Sequence, residues 1–488
     1  MTSPRGALLS IDLGSTAVKV LILDVESGRP LALTRRASGP ALTLGRDTVE
    51  QDPDVWWEAI RSAVGEARKA AGASTEILGI AADGHGPTLV PVREDGSAAN
   101  GALLWRDRRA ADDDAKLATL LDRSGWLLAE LPKARWFLRE RATAAKETAW
   151  LLSTWDALAF RLSGEAVASF WDPARSLSPS QRALLLSGEG GLDERALPPE
   201  VFPGTRIGAL RAQPARDLGL PSGIPIVSGT NDGMAAVIGA GLMHVGRGVD
   251  VGGAAGGVGI SVERTSADRI VAEVGGALWS GPAPTSFGDI RVLGGALGGT
   301  GLLLDETIAA AIERGSDPVK LLDAVAALPL GADGVRFERH GTAVRVREAR
   351  DAVSKGVGDA HRVRAAMEYG ALAIAALLAP ARAAGLSLQE MWLSGPATGA
   401  TSGLYAAQTS VPRGIPQLRA DLLGVPVVLP RIPEAAAAGS AALAGVGAGL
   451  YSSLTEAADL AAVPEERIDP TVGSAALAAS LLELFRGS

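Results

Sequence analysis

The chain contains no cysteine. Disulfides, thiolate metal sites and cysteine nucleophiles are therefore excluded, although the absence of thiols does not by itself fix a compartment. An excess of basic residues is also lacking: 47 Lys and Arg stand against 55 Asp and Glu, for a net charge of −8. That balance argues against a broad nucleic-acid surface and favours a soluble, self-repelling particle. No uncharged apolar run is long enough to span a bilayer, because Arg, Asp and Glu interrupt the alanine-rich stretches at helical spacing. The N-terminus, Met1 to Gly6, runs straight into a strand pattern and leaves no room for a signal peptide. A cytoplasmic enzyme or ATPase with no nucleic-acid or membrane partner is expected. Histidine is scarce, at four residues.

The 488 residues, 47% hydrophobic and 21% charged, fit a well-packed chain of two or more domains. Glycine is abundant, at 60 residues, and clusters at Gly252–Gly259 and Gly294–Gly301. Their apolar flanks mark places where backbone comes close to something, not flexible linkers.

The spacing after Asp52-Pro53 predicts a helix, with Asp52 as N-cap and Val55, Trp56, Ala59, Ile60, Ala63, Val64 and Ala67 on its apolar face. Strands are expected at Ile77–Ala81, Thr88–Val92 and Ile224–Ser228. Residues 110–123 and 131–164 read as mostly helical, and 165–222 as loop-rich. The pattern then restarts with a glycine-tipped hairpin at Arg247–Val262, a helix near 361–384, strands at Met391–Ser394 and Pro426–Leu429, and a helix at Pro433–Gly447. Alternating strands and helices in both halves predict two α/β domains, residues 1–240 and 241–488, with an interdomain cleft as the favoured ligand site.

Four places carry candidate chemistry. Ile11 to Lys19 reads as a hairpin whose tip offers Asp12, Gly14, Ser15 and Thr16. Glycine lets backbone N–H groups approach a phosphate, the hydroxyls add donors, and Asp12 could hold Mg²⁺; a solvated turn uses the same residues. Asp232, between a strand and an apolar helix, is either an N-cap or a general base facing a cleft. His85, between Gly84 and Gly86 after a strand, is either structural or exposed at a loop tip to meet a ligand. Asp107 among Arg106, Arg108 and Arg109 is either a paired surface charge or a partner for sugar hydroxyls.

In order along nearly the whole chain, these segments resemble the FGGY carbohydrate kinases, xylulokinase-like members in particular. Ile11-Asp-Leu-Gly-Ser-Thr-Ala-Val-Lys19 resembles the first phosphate motif, and Glu50-Gln-Asp-Pro-Asp-Val-Trp-Trp57 the helix entry. Gly84-His85-Gly86 is similar to the Met-His-Gly substrate loop, and Leu104-Trp-Arg-Asp-Arg-Arg-Ala110 to a Leu-Trp-Asn-Asp-x-Arg segment. Leu131-Pro-Lys133 with Trp136, Gly229-Thr-Asn-Asp232-Gly233 with the catalytic Asp, and Glu434 to Gly445 as the adenosine-motif helix complete the series.

The resemblance implies an actin-like, ribonuclease-H-like ATPase fold and ATP-dependent phosphorylation of a sugar hydroxyl. It implies Asp232 as base, with Gly84, His85, Asp107, Asp232 and Gly233 at the sugar. ATP would meet Asp12, Gly14, Ser15, Thr16, Lys19, Gly253, Ala254, Gly299, Gly395, Pro396, Ala397 and Glu434, with Mg²⁺ at Asp12 and Asp232. A ketopentose such as D-xylulose is the implied substrate, with ribulose, a polyol or gluconate open; a possible homodimer rests on exposed apolar content.

Three departures stand out. Gly253-Ala254-Ala255-Gly256 replaces Gly-Thr-Ser-Gly and loses its hydroxyls. Ser394-Gly395-Pro396-Ala397 replaces a Gly-Gly-Gly-Ala loop and leads into an extended segment from Ala397 to Leu418. The family's Gly-Glu-Arg-Thr-Pro gives way to Phe337-Glu-Arg-His-Gly341. Gly84, in place of a larger residue, implies a wider or flatter pocket. A degenerate nucleotide-binding regulator and an actin-like or chaperone-like ATPase are the competing readings; the latter leaves His85, Asp107 and Asp232 unexplained.

Overall fold

The computed structural model describes residues 5–43, 47–253, 256–275, 278–282, 289–340, 343–347, 357–401 and 414–487. The chain forms two compact units, Met1–Gly239 with Ala436–Ala461, and Ala240–Ala435 with Ala462–Ser488. The boundary expected near 240 is one junction; residues 436–461, expected in the second half, pack with the first unit.

The first unit is built on a six-stranded sheet in the order Arg206–Ala209, Pro225–Val227, Thr75–Gly84, Arg5–Leu13, Ala17–Asp24, Pro30–Ala37. Arg5–Leu13 and Thr75–Gly84 are parallel, as are Thr75–Gly84 and Pro225–Val227; the remaining pairs are antiparallel. Every residue from Ala7 to Leu13 is buried. That strand is covered on both faces, which explains its continuous apolar run.

Helix Pro53–Ala71 packs Trp56, Trp57, Ile60, Ala63, Val64 and Ala67 inward. The side chain of Asp52 accepts a hydrogen bond from the Asp54 amide, and Pro53 pre-sets the first turn. Each such large apolar side chain contributes about 1.5–3 kcal/mol by leaving water. The alanine-rich stretch 436–447 packs in the same unit. Ser10 Oγ donates to the Ala437 carbonyl at 2.7 Å. A Cβ at Gly439 would lie 1.9 Å from the Ala235 carbonyl oxygen, so only glycine lets this helix cross helix Asp232–Gly239.

Residues 131–164 are mostly helical, as expected, with one strand the spacing does not announce. Helices Leu131–Glu140, Ala142–Glu147 and Thr154–Ser163 are interrupted by a strand, Trp150–Leu152, paired antiparallel with Val90–Val92. An apolar Trp-Leu-Leu triplet takes whichever backbone partner the fold presents.

The second unit carries a seven-stranded sheet in the order Trp279–Pro282, Ile290–Ala296, Gly257–Glu263, Arg247–Asp250, Glu390–Leu393, Val427–Pro430, Pro464–Ile468. Its last six strands repeat the senses of the first sheet read from Pro30–Ala37: two antiparallel pairings, two parallel, one antiparallel. Helix Asp359–Ala383 is, by length and composition, apolar enough to cross a membrane. It packs inside this unit, with Ala371, Ile374 and Leu378 fully buried and Arg364 paired to Glu368 at 3.1 Å.

Candidate active site

In the first unit, parallel pairing sets Asp12 opposite Asp83 and Leu13 opposite Gly84. Gly84 in turn bridges to Asn231. Three neighbouring parallel strands therefore deliver Asp12, Asp83 and Asp232 from their carboxyl ends, where ligands of α/β sheets are bound. Asp83 was absent from the sequence reading, hidden inside an apolar strand.

Asp12 is buried, and Lys19 Nζ donates to its Oδ2 at 3.0 Å. Gly14 makes room for this pair: a Cβ there would meet the Ala17 carbonyl oxygen at 2.9 Å and Lys19 Nζ at 3.1 Å. The Ser15 carbonyl accepts from Gln51 Nε2 at 2.9 Å, and Thr16 is exposed at the turn. Asp83 is fully buried and accepts from Ser440 Oγ at 2.6 Å. Burial, reinforced by the charge of Asp12, raises its carboxyl well above the usual range.

Asp232 is not the N-cap. Asn231 takes that duty, its Oδ1 accepting from the Met234 amide at 2.9 Å. Asp232 is the first residue of the helix, half-buried, with Oδ1 accepting from the Gly233 amide at 2.8 Å. Burial first, and Asp12 second, push its carboxyl up to about 6.

His85 is not at an exposed tip. It is buried, with Nδ1 3.0 Å from Thr88 Oγ1 and Trp56 edge-on at 5.5 Å between ring centroids. Its Nε2 is buried with no partner among the described residues. Burial, with Lys19 nearby, lowers its pKa to about 3, so the ring is neutral. The space expected to open beside Gly84 is filled: a Cβ there would lie 2.4 Å from Thr154 Oγ1. Thr154 Oγ1 instead donates to the His85 carbonyl at 2.8 Å.

Asp107 is not at the surface. Its carboxylate accepts from the Val49 amide at 2.9 Å and from Arg109 Nε and Nη2. Arg109 also pairs with Glu50 at 2.6 Å and stacks over Trp136. Asp107 thus fixes the segment in place through a bidentate pair.

In the second unit, Gly253 and Gly299 both adopt left-handed backbone, and no described atom stands within 4 Å of where a side chain would be. Ala254 and Ala255 lie outside the described residues, as does 402–413 of the extended segment. The Gly252 turn lies on the 394–397 loop: a Cβ at Gly252 would meet the Ser394 carbonyl oxygen at 2.5 Å. At Gly256 it would meet Thr300 Oγ1 at 2.3 Å, so the same turn abuts the N-terminus of helix Thr300–Glu313. Gly395 donates to the Pro433 carbonyl at 2.7 Å; Pro396 is exposed, while Ala397 and Glu434 are buried. A cavity of about 310 Å³ is lined by Leu297, Gly298, Arg339, Ala373 and Leu377. Arg339 belongs to the Phe337–Gly341 block and was not singled out in sequence. Glycine turn, helix N-terminus and cavity together form an arrangement that suits a phosphorylated ligand.

Mg²⁺ is compatible with the first unit on one observation: Asp12 Oδ1 and Asp83 Oδ1 are buried with no hydrogen-bond partner among the described residues. Among the described residues no three His, Asp or Glu side chains form a closed cage. Mg²⁺ typically uses one or two carboxylates plus water and phosphate oxygens, so no cage is needed.

Residues 7–239 match the N-terminal domain of the FGGY family of carbohydrate kinases. This part of the chain is an FGGY carbohydrate kinase N-terminal domain. FGGY kinases are phosphotransferases with an alcohol group as acceptor and ATP as donor, and the chain is a carbohydrate kinase. It is 29% identical over 497 residues to a glycerol kinase from Bordetella pertussis, covering 92% of this chain and 90% of that protein. It is 29% identical over 257 residues to a xylulose kinase from Escherichia coli, covering 48% of this chain and 50% of that protein. Its fold is that of a xylulose kinase from Rhodospirillum rubrum (TM-score 0.72, 22% identity, 99% and 98% of the two chains). A gluconate kinase from Lactobacillus acidophilus is equally similar in fold (TM-score 0.74, 17% identity, 99% and 97%). The two-domain actin-like ATPase fold expected of an FGGY kinase is the fold observed.

Proposed function

We propose that this FGGY kinase transfers the γ-phosphoryl group of ATP to a terminal hydroxyl of a ketopentose, D-xylulose foremost, with Asp232 as general base. The observation that carries this reading is Asp232 itself. It is relieved of capping by Asn231 and tuned to about 6, so it is ionised at neutral pH yet basic enough to take a proton. Its carboxylate accepts the hydroxyl proton as that oxygen attacks the γ-phosphorus and the bond to the β,γ-bridging oxygen breaks, releasing ADP.

Neutral His85, with Nε2 unpartnered, offers a hydrogen bond to the acceptor. Gly84 and Gly233 flank the acceptor as small neighbours, and Asp107 holds the adjoining segment. Asp12, Gly14, Ser15, Thr16 and Lys19 handle phosphoryl oxygens. In the second unit, Gly253, Gly299, Gly395, Pro396, Ala397 and Glu434 serve the nucleotide. Mg²⁺, held by Asp12 with Asp83 or Asp232, would neutralise phosphate charge.

The Gly84-His85-Gly86 resemblance supports a ketopentose. A second reading, a short polyol such as glycerol, is favoured by similarity to glycerol kinases over nearly the full length. Coupled ADP release from Mg-ATP across D-xylulose, ribulose, gluconate, erythritol and glycerol separates the two. Asp232→Ala should lower the stimulated rate by roughly 10²–10⁴-fold. Undiminished release in that variant, or none with any acceptor, would refute the reading.

A further inference from the structure

A second group of charged residues in the first unit is not absorbed by the phosphoryl-transfer chemistry. A cavity of about 70 Å³ is lined by Glu130, Asp156, Ser169, Phe170, Arg175 and Arg182 among apolar residues. Glu130 and Arg175 form an ion pair at 3.3 Å, with side chains only 13% and 11% exposed. Each keeps one buried atom with no partner among the described residues, Glu130 Oε1 and Arg175 Nη1. A buried polar atom left unmade is costly, and two of opposite hydrogen-bonding sense beside a cavity are a prepared pair, one accepting and one donating.

Ser169 of the cavity wall is tied to the loop before Asp232, and neighbours of the wall reach the loop after His85. Ser169 Oγ donates to the Gly229 carbonyl at 2.7 Å, three residues before Asp232. Lys133 Nζ donates to the Pro87 carbonyl at 3.0 Å, just after His85. A Cβ at Gly86 would lie 3.5 Å from Trp126 Cη2, and the Arg175 guanidinium sits 5.2 Å from the Trp126 ring centroid and 4.6 Å from that of Phe170. Asp156 is spent internally, accepting from Ser153 Oγ at 2.7 Å and the Ser169 amide at 3.2 Å, and supports the wall.

We propose that the Glu130–Arg175 pair is a specificity element of the acceptor site, taking the distal hydroxyls of a neutral polyhydroxy chain while its terminal hydroxyl is phosphorylated. A hydroxyl both donates and accepts, so a diol completes Glu130 Oε1 and Arg175 Nη1 together. An anionic end would gain Arg175 but face Glu130, and an apolar end would leave both unpaired. This rests on the kinase reading above.

The test compares acceptors of different length. For wild type, Glu130→Gln, Arg175→Met and Arg175→Lys, kcat/KM is measured with D-xylulose and with glycerol, which is too short to span both ends. The pentose-to-glycerol ratio should fall about tenfold or more in Glu130→Gln and Arg175→Met, with partial recovery in Arg175→Lys. An unchanged ratio, including equal losses with both acceptors, would overturn the proposal, because a purely structural pair would weaken both alike. Binding of xylitol without nucleotide is followed in parallel by tryptophan fluorescence, since Arg175 lies over Trp126. A saturable change in wild type that is lost in Arg175→Met supports the subsite even if no acceptor is turned over. That result would separate failure of the kinase reading from failure of the subsite. No saturable change in wild type would overturn it.

Discussion

Asp232, the proposed general base, gives this kinase its expected pH behaviour. Below about 6 its carboxyl is protonated and cannot accept the hydroxyl proton, so kcat/KM should fall as pH drops through that value. His85, titrating near 3, stays neutral across this range and leaves the acid limb to Asp232. The same shift acts on stability with a definite sign. The folded-state pKa is raised above the ordinary 3.8, so the folded form holds its proton more tightly than the unfolded chain. The associated stability is present below pH 3.8 and is lost as pH rises through about 6. Asp232→Asn should therefore lower turnover as far as Asp232→Ala does, yet raise Tm by roughly 1–3 °C at pH 7.5, a gain that shrinks toward pH 4. Differential scanning calorimetry at the two pH values checks this; a variant less stable at pH 7.5 would show that burial and Asp12 do not strain the carboxylate. Asp83 is the residue whose importance was not legible. A lone Asp inside an apolar strand carries no local signal, and only the parallel pairing with Arg5–Leu13 sets it beside Asp12.

At the scale of elements, close approach at glycine decides how the loops meet. Gly84→Ala would press a methyl group against Thr154, at 2.4 Å from Oγ1 and 2.9 Å from Cβ. The far atom belongs to a short side chain at the start of helix Thr154–Ser163, so that helix must shift. A loss of about 1–3 kcal/mol is expected, with part regained in the Gly84→Ala, Thr154→Ala double variant. Gly229→Ala is the harsher change, because a Cβ would sit 1.6 Å from the Ala82 carbonyl oxygen, and backbone cannot rotate away. Urea unfolding of the three variants should rank them with Gly229→Ala least stable; equal midpoints would contradict the packing. The helix Pro53–Ala71 was legible to its cap, since Asp52, Pro53 and the apolar spacing are local signals. Trp150–Leu152 was not, because a three-residue strand exists only through its partner Val90–Val92.

At the scale of the whole molecule, the first unit is assembled from distant parts of the chain. Besides Ser10 with Ala437, Ser440 bonds Asp83, and Tyr451 Oη donates to the Val25 carbonyl at 2.9 Å. A fragment ending at residue 240 lacks these partners and exposes the apolar surface they cover. It should be aggregation-prone, and appending residues 436–461 through a flexible linker should restore a cooperative thermal transition. Cooperative unfolding of the bare fragment would argue that the returning segment is dispensable. The second glycine-tipped hairpin, Arg247–Asp250 with Gly257–Glu263, was anticipated in sequence, because a turn with glycine between apolar runs is a local feature; the repeated order of the two sheets was not. The sequence by itself determined the α/β class, the capped helix, the two hairpins and the family resemblance, all of which follow from short-range periodicity and motif order. Tertiary structure alone decided that Asp83 stands beside Asp12, that His85 is buried, that Asp107 is occupied by Arg109, and that residues 436–461 return to the first unit. Those outcomes depend on sheet register and burial, which are set by contacts between residues far apart in the chain.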